Sequence, residues 1–277
     1  MKVYISVDAE GISGIFKLTQ VLPGKPDYGF LRSMMTSDVN AAIRGAAAAG
    51  ADEILVNDSH NLGDNLVIDQ LDPRATLLSG ADKPLIMAEG LERGFDAAML
   101  VGYHCPKGFK GIISHTFFYG AVLDAKINGV SFGEADIVGH VAGHFGTPLV
   151  MVTGDDCLAA RCQQLMPGVH TVATKECIGN GTAICRHPSL TAVDIEKTAE
   201  AAVRDRANIK PLRAGSPVRL ELTLASATMA QLACNISGFK ADPERHNTVH
   251  YEGKDFLEVY TAFVSALRQS AYFKDMA

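Results

Sequence analysis

The sequence predicts an α/β protein: a three-layer α/β/α arrangement on a mainly parallel sheet, with a smaller C-terminal α+β subdomain. Two observations predict it. Between residues 3 and 101, apolar runs of strand length alternate with helical stretches at spacings suited to βαβ crossovers. After Pro211 the texture changes, and Val218-Arg219-Leu220-Glu221-Leu222-Thr223-Leu224 alternates cleanly, as a strand with one wet face does. The boundary is placed near Ile209, with a catalytic-type unit over 1–209 and a smaller unit over 210–277. With 277 residues and 47% hydrophobic content, the chain can bury a sizeable core.

Val3 to Val7 reads as the first strand, followed by a Gly- and Pro-rich loop, Leu22 to Pro26. A helix is expected from Phe30 to Ala49, with Met34, Met35, Val39, Ala42 and Ile43 on its apolar side. Glu53 to Asn57 is the second strand. Asp64 to Gly80 has no clear period. Pro84 to Arg93 reads as a second helix, opened by Pro and closed at Gly94. Asp96 to Val101 is the third strand. Val122-Leu123-Asp124-Ala125-Lys126-Ile127 and Val130-Ser131-Phe132 flank Asn128-Gly129, a strong hairpin signal. A helix should run from Glu134 to about Phe145. Pro148 to Thr153 and His170 to Thr174 are further strands, and Thr191 to Asn208 is an amphipathic helix. Beyond Pro211, a short helix over Ala227 to Cys234, a strand around Thr248 to Tyr251 and a final helix from Asp255 to Tyr272 complete the chain.

Composition excludes several functions. The net charge is −6 with no basic stripe, which argues against nucleic acid as a partner. The apolar runs are short and interrupted, so no membrane span is expected, and the first run ends at Asp8, too early for a signal peptide. The six cysteines form no Cys-x-x-Cys pair, so neither a zinc ribbon nor a thioredoxin-like motif is indicated. With no export signal expected, reduced thiols in a cytoplasm are the natural reading.

The chemistry gathers at strand ends. The first strand delivers Asp8 and Glu10, two apart and so on one face if the strand continues. Like charges there repel unless a cation lies between them. The second strand runs into Asp58-Ser59-His60 and the third into Gly102-Tyr103-His104. In open parallel sheets the ligand site lies outside the carboxyl ends of the strands, so Asp8, Glu10, His60 and His104 could converge. Taken singly, each has a plainer explanation, such as a loop histidine for His60 and a core histidine for His104. Glu134 opens a helix, where it could join the site or serve only the helix dipole. His115 lies on a loop or strand end nearby. Asp155 and Asp156 form another acidic pair, either supporting the site or capping the next helix. His140 and His144 share a helix face at zinc-protease spacing. Val141 stands where that motif needs Glu, so they read as packing or interface histidines.

If Asp8, Glu10, His60, His104 and Glu134 share one site, its three carboxylates suit two divalent cations and a bridging hydroxide better than one cation. Asp8, nearest the strand end, is the natural bridging carboxylate. Carboxylate and imidazole ligands fit zinc, and also manganese or iron. A two-metal site holds an activated water and polarises a carbonyl or phosphoryl oxygen. His115 could then act as general base or acid, or stabilise an oxyanion.

These motifs resemble the zinc-dependent D-aminopeptidases, the DppA type once named as dipeptide-transport proteins. The resemblance rests on Ser6-x-Asp8-x-Glu10-Gly11, Asn57-Asp58-Ser59-His60, Gly102-Tyr103-His104, Ser114-His115-Thr116, Gly133-Glu134 and Gly154-Asp155-Asp156. It covers most of the N-terminal two-thirds. It implies that Asp8, Glu10, His60, His104 and Glu134 bind two Zn2+ per subunit and that His115 is the catalytic residue. It implies hydrolysis of short peptides with an N-terminal D-amino acid, such as D-Ala-D-Ala, and a homodecamer of stacked rings with sites facing an inner channel. Cys105, directly after His104, departs from the expected pattern. Two alternatives stand beside the enzyme reading. One is a non-catalytic dipeptide-binding or transport-associated protein, as the old family name suggests. The other is a two-metal phosphoesterase, ranked lower because no Arg cluster or Gly-rich phosphate loop is evident.

Overall fold

The computed structural model describes residues 1–276, with side chains described through Ser270. In chain order the elements are β1 (Lys2–Val7), α1 (Tyr28–Ala48), β2 (Glu53–Asp58), β3 (Ala75–Leu78), β4 (Ala97–Val101), β5 (Val122–Ile127), β6 (Val130–Ser131), α2 (Glu134–His144) and β7 (Leu149–Asp155). They continue with α3 (Asp156–Leu165), β8 (His170–Gly179), β9 (Thr182–Cys185), α4 (Pro188–Asp205), β10 (Val218–Leu224), α5 (Ala227–Ala233), β11 (Lys240–Ala241), β12 (Thr248–Gly253) and α6 (Phe256–Met276).

A seven-stranded sheet has the order β3-β2-β1-β4-β7-β8-β9. All its pairings are parallel except the β8–β9 hairpin. A five-stranded antiparallel sheet has the order β11-β12-β10-β5-β6. It takes β10 to β12 from after residue 209 and the Asn128-Gly129 hairpin from before it.

Both faces of the large sheet are covered, and β1 shows how. Val3, Ile5 and Val7 point into one apolar cluster with Met35 and Val39 of α1 and Ile195 of α4. Tyr4 points the other way, into a cluster with Val138 of α2, Leu220 of β10 and Phe263 of α6. A strand buried on both faces needs the near-continuous apolar run the sequence has there. Chain direction along the sheet reverses between β1 and β4, so the crevice beyond their carboxyl ends is the switch point of the fold.

Two segments differ from the sequence expectation. The helix expected over Pro84 to Arg93 is instead two short 3-10 turns, Ile86–Ala88 and Leu91–Arg93. Side chains from the sheet take the carbonyls a helix would use. Tyr4 Oη donates to Met87 O or Glu89 O, Ser6 Oγ lies 2.8 Å from Met87 O, and Asn57 Nδ2 reaches Ile86 O and Met87 O. Ile86 and Gly90 hold left-handed backbone that stops helix propagation. In the segment without a period, Ala75–Leu78 adds the parallel edge strand β3. Its side chains are only partly buried, so no apolar period marks it. The six cysteines are all free thiols. Among the described residues, no helix is long and apolar enough to cross a membrane.

Candidate metal centre

Asp8 and His104 leave the sheet on either side of the switch point, and their loops are locked together. Asp8 N donates to Val101 O and Gly11 N to Gly102 O, at 2.8 and 2.7 Å. A Cβ at Gly11 would lie 2.1 Å from Tyr103 O, and one at Gly102 would lie 2.3 Å from Asp8 O. Only glycine at both positions lets the two backbones approach this closely. From β2, Asp58 ties down the following loop by accepting from the backbone N–H groups of Asn65 and Leu66. His60 is carried on that loop. Glu134 enters from the first turn of α2.

These side chains meet. Asp8 Oδ1 lies 3.2 Å from His60 Nδ1, and Asp8 Oδ2 lies 3.3 Å from His104 Nε2. Glu10 Oε2 is 3.5 Å from His60 Nδ1, and Glu134 Oε2 is 3.3 Å from His104 Nε2. The His115 ring stacks on His104 at 4.2 Å between centroids, with its Nε2 3.8 Å from Glu134 Oε1. Asp8, Glu10, His60, His104, His115 and Glu134 are thus brought to one place. Ligand-capable atoms of Asp8, Glu10 and His104, and of His104, His115 and Glu134, form two groups that share His104.

Each histidine has its second nitrogen tied to a backbone carbonyl: His60 Nε2 to Val21 O, His104 Nδ1 to Cys105 O and His115 Nδ1 to Ile113 O, all at 2.8–2.9 Å. Those bonds assign the proton to the outer nitrogen and aim a lone pair inward from the other. Cys105 thus contributes its carbonyl to His104, and its thiol is buried in the core.

The electrostatics ask for a cation. Burial and the charge of Asp8 both push Glu10 above the usual carboxylate range. Asp8 moves the other way: burial would raise it, but the imidazoles of His104 and His60 beside it outweigh that and hold it low. Burial opposes charge on His60, yet Glu10 and Asp8 push it up to about 10. His104 is likewise raised, burial being outweighed by Glu134 and Asp8. The field favours positive charge at one point. Asp8 Oδ2, Glu10 Oε2 and His104 Nε2 are buried without a hydrogen-bond partner, and such atoms are costly unless something coordinates them. Three oxygens and nitrogens of this kind, converging with Glu134 and two more imidazoles, fit a divalent ion of the zinc type.

The centre floors a cavity of about 440 Å3, a size suited to a small ligand. Leu62, Met87, Phe117 and Phe118 make its walls mostly apolar, while Asn61 and Arg268 add polar groups. Among the described residues, five non-glycine residues have positive φ; four of them (Asn61, Ile86, Ile113 and Phe117) line this cavity or sit two residues from His115. Backbone in that region is strained for a β-branched or bulky residue and persists where packing dictates it.

The other candidates have structural roles. Asp155 caps α3, accepting from Leu158 N at 2.8 Å, and its other oxygen accepts from Ile112 N at 2.6 Å. Asp156 accepts from Cys177 N. His140 packs between Phe132 and Phe256, and His144 sits edge-on to Phe145. No local signal marks Thr174 and Lys175 of β8, which reach the turn after Asp8. A lysine inside an apolar strand pattern looks like any strand-end cation.

A family model described as "Peptidase_M55: D-aminopeptidase" matches residues 1–265. The chain is 36% identical over 264 residues to a D-aminopeptidase of Bacillus subtilis (strain 168), covering 95% of this chain and 96% of that one. It is similar to a solved structure of a Zn-dependent D-aminopeptidase DppA from Bacillus subtilis, described as a self-compartmentalizing protease. The TM-score is 0.94 at 35% identity, over 98% of both chains.

Proposed function

The chain belongs to the Peptidase M55 family of D-aminopeptidases and is a zinc-dependent metallopeptidase of that kind; we propose that its substrates are short peptides with an N-terminal D-amino acid, such as D-Ala-D-Ala. The observation that carries this reading is the set of buried, unpartnered ligand atoms on Asp8, Glu10 and His104 at the floor of a small cavity. We infer two zinc sites. Asp8, whose oxygens face different histidines, would be shared between them. Glu10 and His60 complete one side, and His104 and Glu134 the other. When bound, two zinc ions supply a water of lowered pKa and polarise the scissile carbonyl.

The chain's own residues do the rest. His115 Nε2 faces the centre with Nδ1 anchored on Ile113 O, so it can take a proton at one nitrogen while holding its orientation at the other. The apolar walls of Leu62, Phe117 and Phe118 accept a small side chain and keep bulk water from the reacting groups. A cavity of about 440 Å3 suits a short peptide rather than a folded protein. We further infer that this chain, like its self-compartmentalizing relative, assembles with copies of itself, as a decamer enclosing its sites.

Purified protein assayed against D-Ala-D-Ala and L-Ala-L-Ala, with and without a chelator, tests this. Release of free D-alanine, abolished by the chelator and restored by zinc, is expected. No turnover of any short D- or L-peptide by zinc-replete protein refutes the peptidase reading.

A further inference from the structure

Glu10 is the site carboxylate with the least support from other side chains. Its Oε2 has no hydrogen-bond partner, and the one side chain forming an ion-pair contact with it is His60 at 3.5 Å. What fixes its direction is therefore the backbone turn from Glu10 to Ile12. That turn is held by two consecutive residues of β8. Lys175 Nζ donates to Glu10 O at 2.7 Å and to Ile12 O at 2.8 Å, and Thr174 Oγ1 lies 2.7 Å from Gly11 O.

Consecutive strand side chains normally point to opposite faces. Here the register against β7 slips: Gly154 pairs with Ala173 and Asp155 with Lys175, which leaves Thr174 as an extra, bulged residue. A bulge re-aims side chains and is a common device beside active sites. It brings both Thr174 and Lys175 onto one turn.

Lys175 is 1% exposed and forms no ion pair among the described residues. Burying an ammonium group without a paired carboxylate is expensive, and an apolar side chain would fill the same space at lower cost. The arrangement makes sense if the position of the carbonyls matters more than that cost. We propose that Lys175 is a positioning residue of the metal centre, clamping the Glu10–Ile12 turn so that the Glu10 carboxylate is presented to the zinc it shares with Asp8. This rests on the two-zinc reading given above. Lys175 touches neither substrate nor metal; it acts through Glu10.

Lys175→Met keeps the length and removes the donors, and Lys175→Gln keeps one donating group on a shorter stem. Both are made in the full chain and compared with wild type by circular dichroism, zinc content after dialysis, competition against a chelator of known affinity, and kcat and KM. Zinc affinity should fall about tenfold or more in Lys175→Met, the usual consequence of losing a group that orients a ligand. Its kcat should fall and recover in excess zinc, with KM little changed, and Lys175→Gln should lie between. If Lys175→Met does not fold, Lys175→Gln is read by the same criteria. Wild-type zinc affinity and kcat in folded variants, even with a lowered melting temperature, overturn the proposal, as does tighter zinc binding. Wild-type protein that binds no zinc would instead remove the two-zinc reading beneath it.

Discussion

Asp8 and His115 show how side chains a few ångströms apart take different work. Asp8 is buried, with each oxygen turned toward a different imidazole, an arrangement that suits sharing between two cations. His115 stands one ring-stack away, against His104, and its Nε2 reaches only the far oxygen of Glu134. Removing His115 should therefore spare the metal while removing a proton carrier. His115→Ala is expected to keep zinc content near wild type while kcat falls by about 10²–10⁴-fold, the usual range for losing a general acid or base. Metal analysis on the same preparation used for kinetics decides it, because loss of zinc would make His115 a ligand.

At the scale of elements, the loop carrying His115 is held by structure that looks like ordinary capping. Asp155, at the end of β7, caps α3 through Leu158 N and also accepts from Ile112 N, three residues before His115. On the other flank, Asn180 in the β8–β9 turn accepts from Ile113 N through its carbonyl and from Ser114 N through its side chain. Asp155→Ala should cost about 2–3 kcal/mol, combining a lost helix cap with a second buried N–H left unpaired. The measurement is urea unfolding of the zinc-loaded protein. An activity loss larger than an isolated cap can explain is expected with it, since Ile112 anchors the loop that carries His115.

The whole molecule places its centre where two rules of α/β architecture coincide. The loops after β1 and β4 flank the switch point, and α2 arrives there with Glu134 in its first turn. The second sheet and α6 share a core with one face of the large sheet, so the site is built on a rigid frame rather than on mobile lobes. Assembly with further copies would then limit access to it. Sedimentation velocity should show a particle of about ten monomer masses that persists at low protein concentration; a monomer would refute the assembly reading.

The sequence alone determined the strands that frame the candidate centre and the side chains they bring together there. Val3–Val7, Glu53–Asn57 and Asp96–Val101 are short apolar runs followed within three residues by Asp8, His60 and His104, and residues this close to a parallel strand's carboxyl end have little freedom to go elsewhere. The Asn128-Gly129 turn and the helix opening at Glu134 were legible from local pattern too, although that pattern left the role of Glu134 open. Tertiary structure decided what depends on partners distant in the chain. Pro84–Arg93 carries helix signals, yet Tyr4, Ser6 and Asn57 take its carbonyls and leave two 3-10 turns. Lys175 lies 165 residues from the Glu10 carbonyl it holds, and no local pattern records such a contact. A strand's period is set by its immediate neighbours in sequence and can be read there. A buried hydrogen bond across the sheet is set by topology and by the bulge at Thr174, and it appears only once the chain has folded.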